Sequence, residues 1–90
     1  MHTTREKKKL LNRVRRIRGQ MEAVERALED ENGCADVLQR IAGVRGALNG
    51  LMAEVVEDHI QEHVADAELT TEQRSEGAAE LIDVVRAYLK

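Results

Sequence analysis

An unusually long apolar seam limits what this chain can fold into. Leu38, Ile41, Arg45, Leu48, Met52, Val55 and His59 recur at alternating steps of three and four residues, and the same spacing carried backward reaches Cys34. That pattern places side chains on one face of an α-helix. The predicted helix runs from about residue 33 to about 64, and at ~1.5 Å per residue it is roughly 45 Å long. A compact monomer of 90 residues cannot enclose such a helix. Part of it is therefore expected to pack against another chain.

Two further helices flank it. Leu10, Val14, Ile17, Met21, Val24 and Leu28 form a heptad-like seam, and Thr3 with Glu6 has capping-box spacing, so a first helix is predicted over about 4–28. Glu29 to Gly33 is a polar break, with Asn32 as a cap for the second helix. Thr70 and Gln73 repeat the capping-box spacing and open a third helix over about 71–89, whose apolar stripe is Ala78, Leu81, Ile82, Val85, Tyr88 and Leu89. The chain has no Pro, Phe or Trp, and Tyr88 is its only aromatic residue. The Leu, Val, Ile, Ala and Met that remain suit helices, whereas strands favour aromatics. An all-α single domain over 1–90 is expected. With 34% charged residues its own core would be thin. Gly43, Gly46 and Gly50 weaken an isolated helix, which suggests close helix–helix approach as compensation.

The net charge of −3 hides a segregation. Residues 1–28 hold nine Lys or Arg against three acids, while the remainder holds five against fourteen. A basic first helix above an acidic remainder points to an anionic partner, nucleic acid first. The dense stretch is Arg13-Val14-Arg15-Arg16-Ile17-Arg18-Gly19-Gln20. No short turn and recognition helix follow it, so helix-turn-helix geometry is not indicated. Phosphate contact and shape readout fit better, through Lys7, Lys8, Lys9, Arg13, Arg16 and Arg45. The plainer reading is a solvated basic face. No apolar run approaches 20 residues, so no membrane span is expected, and the charged start lacks a secretory apolar core. A lone Cys then reads as a reduced thiol in the cytoplasm.

Few residues can carry chemistry. His59 and His63 lie four apart on one helix and project from one face, a spacing that suits two ligands of one ion. Such a pair is also commonly just solvated. His2 sits beside the α-amine of Met1, and both are further candidate ligands. Cys34 lies some 25 residues before His59, about 38 Å along one helix axis. An antiparallel dimer would bring the two together from different chains. A lone Cys is otherwise most often a small buried hydrophobe. One thiolate with imidazoles suits Ni(II), Co(II), Zn(II) or Cu(II). A thiol at a helix start is also a good nucleophile, so an aldehyde is a competing ligand. No nucleophile–base set, phosphate loop or paired carboxylates stands out, and an enzyme is not expected.

The Arg13–Gln20 stretch, Val44-Arg45-Gly46-Ala47-Leu48-Asn49-Gly50-Leu51-Met52 and the terminal Arg86-Ala87-Tyr88-Leu89-Lys90 together resemble the CsoR/RcnR/FrmR family of bacterial ligand-responsive repressors. The resemblance spans essentially the whole chain. It implies a three-helix protomer, an antiparallel dimer forming a four-helix bundle, and a disc-shaped tetramer made of two dimers. It implies repression by the ligand-free form and release of operator DNA on ligand binding. It also implies a site shared between protomers, with Cys34 from one chain and His59 and His63 from the other. The backbone looks most like the formaldehyde-responsive branch, in which a Pro follows the initiator Met, but this chain has no Pro. The set of His2, Cys34, His59 and His63, with the Met1 amine, resembles the nickel/cobalt-responsive branch. His63 stands where a Cu(I) sensor would have a second Cys. Ni(II) or Co(II) is therefore the expected effector. The alternative is formaldehyde, bridging Cys34 and the Met1 amine. A purely structural helical module is a third reading, which predicts no DNA affinity.

Overall fold

The computed structural model describes residues 4–89. Among them are three α-helices and no strand: α1 (Thr4–Glu29), α2 (Cys34–His63) and α3 (Thr71–Tyr88). The all-α, three-helix expectation holds. Thr3, one half of the first capping box, lies outside the described residues. No described helix is long and apolar enough to cross a membrane.

The chain reverses sharply between α1 and α2. Asn32 N donates to Ala27 O at 2.9 Å, and Glu31 N donates to Leu28 O at 3.1 Å. That pair of bonds is the Schellman closure, which requires one left-handed residue. Glycine usually fills that place, but here Glu31 takes it with φ of 55°. The start of α2 departs from the sequence expectation. Gly33, not Asn32, occupies the cap position, because its carbonyl accepts from Asp36 N at 3.0 Å and Val37 N at 3.2 Å. Asn32 works through its amide, which donates to Asp36 Oδ2 at 2.8 Å. A capping Asn32 would accept through Oδ1, whereas here its Nδ2 donates to an ionised carboxylate, a charge-assisted bond. Arg40 Nε donates to the same oxygen at 3.0 Å. The Asn32 amide first, and Arg40 second, hold the Asp36 carboxyl below the usual carboxylate range.

The start of α3 is as the sequence predicts. Gln73 N donates to Thr70 Oγ1 at 3.1 Å, and Thr70 N donates to Gln73 Oε1 at 2.9 Å, so both bonds of the capping box form. Asp66 organises the preceding connection. Its Oδ1 accepts from Glu68 N at 3.0 Å, and its carbonyl accepts from Arg74 Nη2 at 3.1 Å.

Packing divides the chain into two compact units. The first joins α1 to α2 as far as Met52. Its core is small: Ile17, Val24, Ala27 and Val44 are buried, with Ala47 and Leu51 packed against them. The inward edge of α1 includes half-buried Leu10 and Arg13 as well as Ile17, Val24 and Ala27. Val14, Met21 and Leu28 belong to the predicted seam, yet they are 44%, 54% and 61% exposed. The seam thus merged two edges of one helix. On α2, Val44, Ala47 and Leu51 face α1, while Leu38, Ile41, Leu48 and Met52 stay exposed.

The second unit joins the rest of α2 to α3. Its tightest point is buried Gly77. A Cβ there would lie 2.8 Å from both the carbonyl carbon and the Cβ of His63, and closer still to the His63 carbonyl oxygen. Ala78 and Leu81 are half-buried, whereas Ile82, Val85, Tyr88 and Leu89 remain exposed.

The α1–α2 reversal leads to two stability predictions. Left-handed backbone costs a residue with a Cβ about 1–2 kcal/mol. Glu31→Gly is therefore expected to raise Tm by about 4 °C or more in a calorimetric scan, and an unchanged or lower Tm would contradict the strained closure. Asp36 has a lowered folded-state pKa, so its contribution is present above the unfolded value of ~4 and disappears as pH falls below it. Asp36→Asn should lower Tm at neutral pH and cost little in strong acid, well below that value. An equal penalty under both conditions would show that the charge is not involved.

Candidate effector-binding site

Cys34 is the first residue of α2, and its thiol is exposed and free. It is not the buried hydrophobe that a lone cysteine usually becomes. His59 and His63 fall in the last two turns of the same helix. Their rings stand 4.9 Å apart between centroids, tilted by 41°, so both imidazoles do project from one face. Both are half-buried.

The ring of His59 is oriented by α3. Its Nε2 lies 2.8 Å from the carbonyl oxygen of Gly77. A carbonyl can only accept, so Nε2 must carry the proton and donate. The lone pair of the neutral ring is then on Nδ1. Histidines that bind metal characteristically donate their other ring N–H to such an acceptor, which fixes the tautomer and the ring plane. Gly77 also bears on the backbone of His63, so one α3 residue constrains both histidines. Beside its ring contact with His59, His63 makes a long contact among the described residues, 3.7 Å from its Nε2 to Glu62 Oε2. That exceeds a hydrogen bond and leaves the ring able to turn toward a ligand.

The donor set is borderline in softness and fits a divalent transition ion. Among the described residues, no three His, Cys, Asp or Glu side chains gather as a metal-holding group. Met1 and His2, the other candidate ligands, lie outside the described residues. Gly77 is a member of the site that the sequence reading missed. Its one sequence signal was a glycine inside a helix, where glycine is unfavourable without a packing reason.

The candidate DNA-contacting residues differ among themselves. Lys7, Lys8, Lys9 and Arg16 are exposed along α1, and Arg45 is exposed on α2 beside Leu38 and Ile41. Arg13 is half-buried. A Cβ at Gly50 would come 2.6 Å from its Nη1. A Cβ added at Gly43 or Gly46 would meet nothing within 4 Å among the described residues, whereas Gly50 makes a close approach there.

The chain thus combines an all-helical fold, a basic first helix, a free thiol at one helix start and an imidazole pair in which the His59 ring is oriented by α3. Residues 6–87 match the model of the metal-sensitive transcriptional repressors, and the chain belongs to that family. It is 57% identical over 89 residues to an uncharacterized protein from the bioA 5′ region of Serratia marcescens, covering 99% of this chain and 98% of that one. It is 40% identical, with the same coverage, to the transcriptional repressor RcnR of Salmonella paratyphi B (strain ATCC BAA-1250 / SPB7). Among solved structures it resembles a variant of the formaldehyde-responsive regulator FrmR from Salmonella enterica serovar Typhimurium, in which a glutamate is replaced by histidine. That match has a TM-score of 0.89 and 52% identity, covering 98% of this chain and 99% of that one. The copper-sensing repressor CsoR with Cu(I) from Geobacillus thermodenitrificans NG80-2 matches with a TM-score of 0.89 and 29% identity, covering 100% of this chain and 93% of that one.

Gly77→Ala tests the α3 constraint. Alanine is the better helix former, yet its Cβ would meet the His63 backbone. Overpacking of this kind costs about 1–3 kcal/mol. The expected result is a lower Tm together with changed ring-nitrogen NMR signals for His59. A higher Tm with unchanged His59 signals would mean that α3 does not hold the ring.

Proposed function

We propose that the protein is a homotetrameric repressor that holds operator DNA in its ligand-free form and releases it on binding Ni(II) or Co(II). The observation that carries this reading is the His59–His63 pair, with the His59 lone pair placed on Nδ1 by the Gly77 carbonyl. Cys34 of one protomer would complete the site with His59 and His63 of another, in an antiparallel dimer. His2 and the Met1 amine would add further donors. Zn(II) and Cu(II) suit the same atoms.

The exposed seam supports the assembly. Leu38, Ile41, Leu48, Met52 and Val55 are between 39% and 58% exposed in the single chain, which is the signature of a surface meant for another protein surface. Cys34 belongs to that seam by spacing. The exposed Lys7, Lys8, Lys9, Arg16 and Arg45 would contact phosphates in the cytoplasm, where operator DNA and a reduced thiol coexist. Bound at the shared site, the ion would supply a cross-link between protomers. Linkage then requires that a ligand which weakens DNA binding also bind DNA-free protein more tightly by the same factor.

One comparison favours a second reading. Identity to the formaldehyde-responsive regulator variant, 52%, exceeds that to RcnR, 40%. In that reading the Cys34 thiol adds to formaldehyde. The Met1 amine then condenses with the adduct, releasing water and leaving an S–CH2–N bridge. His59 and His63 would be supporting residues.

The deciding experiment is a titration of reduced protein on its operator with Ni(II), Co(II), Zn(II), Cu(I) and formaldehyde, repeated with His63→Ala. Release by Ni(II) or Co(II) that is lost in His63→Ala supports the metal reading. Release by formaldehyde alone, unaffected by His63→Ala, sinks it in favour of the aldehyde. Operator affinity should also fall steeply with salt, by about one decade per decade of salt for each phosphate contact.

A further inference from the structure

Arg13 stands apart from the other basic residues of α1. Lys7, Lys8, Lys9, Arg15, Arg16 and Arg18 are all exposed, whereas Arg13 is half-buried. It lies three residues after half-buried Leu10 and four before buried Ile17, on the edge of α1 that faces α2. Its guanidinium rests on α2 at Gly50. An added Cβ there would lie 2.6 Å from Nη1 and 3.8 Å from Cζ. Gly50 follows Ala47 by three residues and precedes Leu51, and both of those pack on the small core. The position opposite Arg13 is therefore part of the same contact stripe.

We infer that Arg13 is a clamp between α1 and α2 rather than a phosphate contact, and that Gly50 is the seat that admits it. The inference rests on the DNA-binding reading given above and refines it. A side chain of any size at position 50 would occupy the space of the guanidinium. The flexible guanidinium end of Arg13 would then have to swing aside, and its hold on α2 would be lost. The exposed basic residues ride on α1, so the spacing between α1 and α2 fixes where their charges stand relative to Arg45 on α2. Gly50 is thus a positioning residue for DNA binding. It also explains why a helix breaker is placed within the core-facing stripe of α2.

A double-mutant cycle separates a clamp from a contact. Gly50→Ala, Arg13→Ala and the pair are compared for operator affinity, its salt dependence and Tm. If Arg13 is a clamp, Gly50→Ala weakens operator binding about tenfold although every basic residue is retained. The salt slope stays unchanged, and Gly50→Ala adds nothing further in the Arg13→Ala background. Without the guanidinium in the way, alanine acts simply as the better helix former, so Gly50→Ala raises Tm there by about 4–8 °C. It raises Tm less, or lowers it, when Arg13 is present. If instead Arg13→Ala cuts the salt slope by about 0.9 and the two substitutions are additive, Arg13 is a phosphate contact and the inference is overturned. A parent protein that binds no DNA would overturn the repressor reading. The Tm cycle would still decide the seat: coupling upholds it, and additivity overturns it.

Discussion

Helix α2 has apolar side chains on two sides, and α1 covers only one of them. Val44, Ala47 and Leu51 make the covered side, against Ile17 and Val24. Leu38, Ile41, Leu48 and Met52 make the other, left open in the single chain. At about 25 cal/mol per Å² of apolar surface, a core of four buried hydrophobic residues cannot offset the conformational entropy of ordering a chain this long. Covering the open side would add to that stabilisation. The open side is thus the face on which the assembly proposed above would form. In that proposed assembly, a ligand site divided between protomers would need no further contact to be made.

The helix periods were fully legible in the sequence, because steps of three and four survive any detail of packing. Which face of each helix turns inward was not. In α1 the periodic set includes Val14, Met21 and Leu28, which point away from α2, and it omits Arg13, which points toward it. Hydrophobicity alone cannot distinguish a face that packs within the chain from one that packs against a neighbour, since both exclude water. An arginine on the inner edge breaks the pattern outright, because its long stem packs as apolar surface while its head lies against Gly50. Capping was legible where the side chain had no stronger partner, as at Thr70. It failed at Asn32, where a nearby carboxylate competes for the amide.

The candidate ligands were legible by type and spacing, but their electronic state was not. Nothing in the spacing of His59 and His63 says which ring nitrogen bears the proton. That is decided by a backbone carbonyl 18 residues away in sequence, on a helix whose approach depends on a missing Cβ. Gly77 and Gly50 act alike in this respect. Each lets something approach a helix backbone that alanine would hold off, and each makes its contribution by lacking a side chain. Sequence reasoning sees such glycines only as unfavourable helix residues.

The two effector chemistries make different demands on that geometry. An aldehyde bridge consumes a thiol and an amine, and it needs no imidazole lone pair at all. A metal ion needs lone pairs directed from fixed positions, since each ligand left to rotate adds an entropic cost to binding. The Nε2–H bond to Gly77 spends one ring nitrogen of His59 to direct the other. With the tautomer set, His59 can offer Nδ1 without a prior proton shift, and His63 stands within reach on the same face. Such preorganisation is of use to an ion and idle toward formaldehyde. The higher identity to a formaldehyde-responsive relative is an overall figure, 52% over nearly the whole chain. The proposed preference for metal rests instead on a few atoms of His59 and His63 at the end of α2.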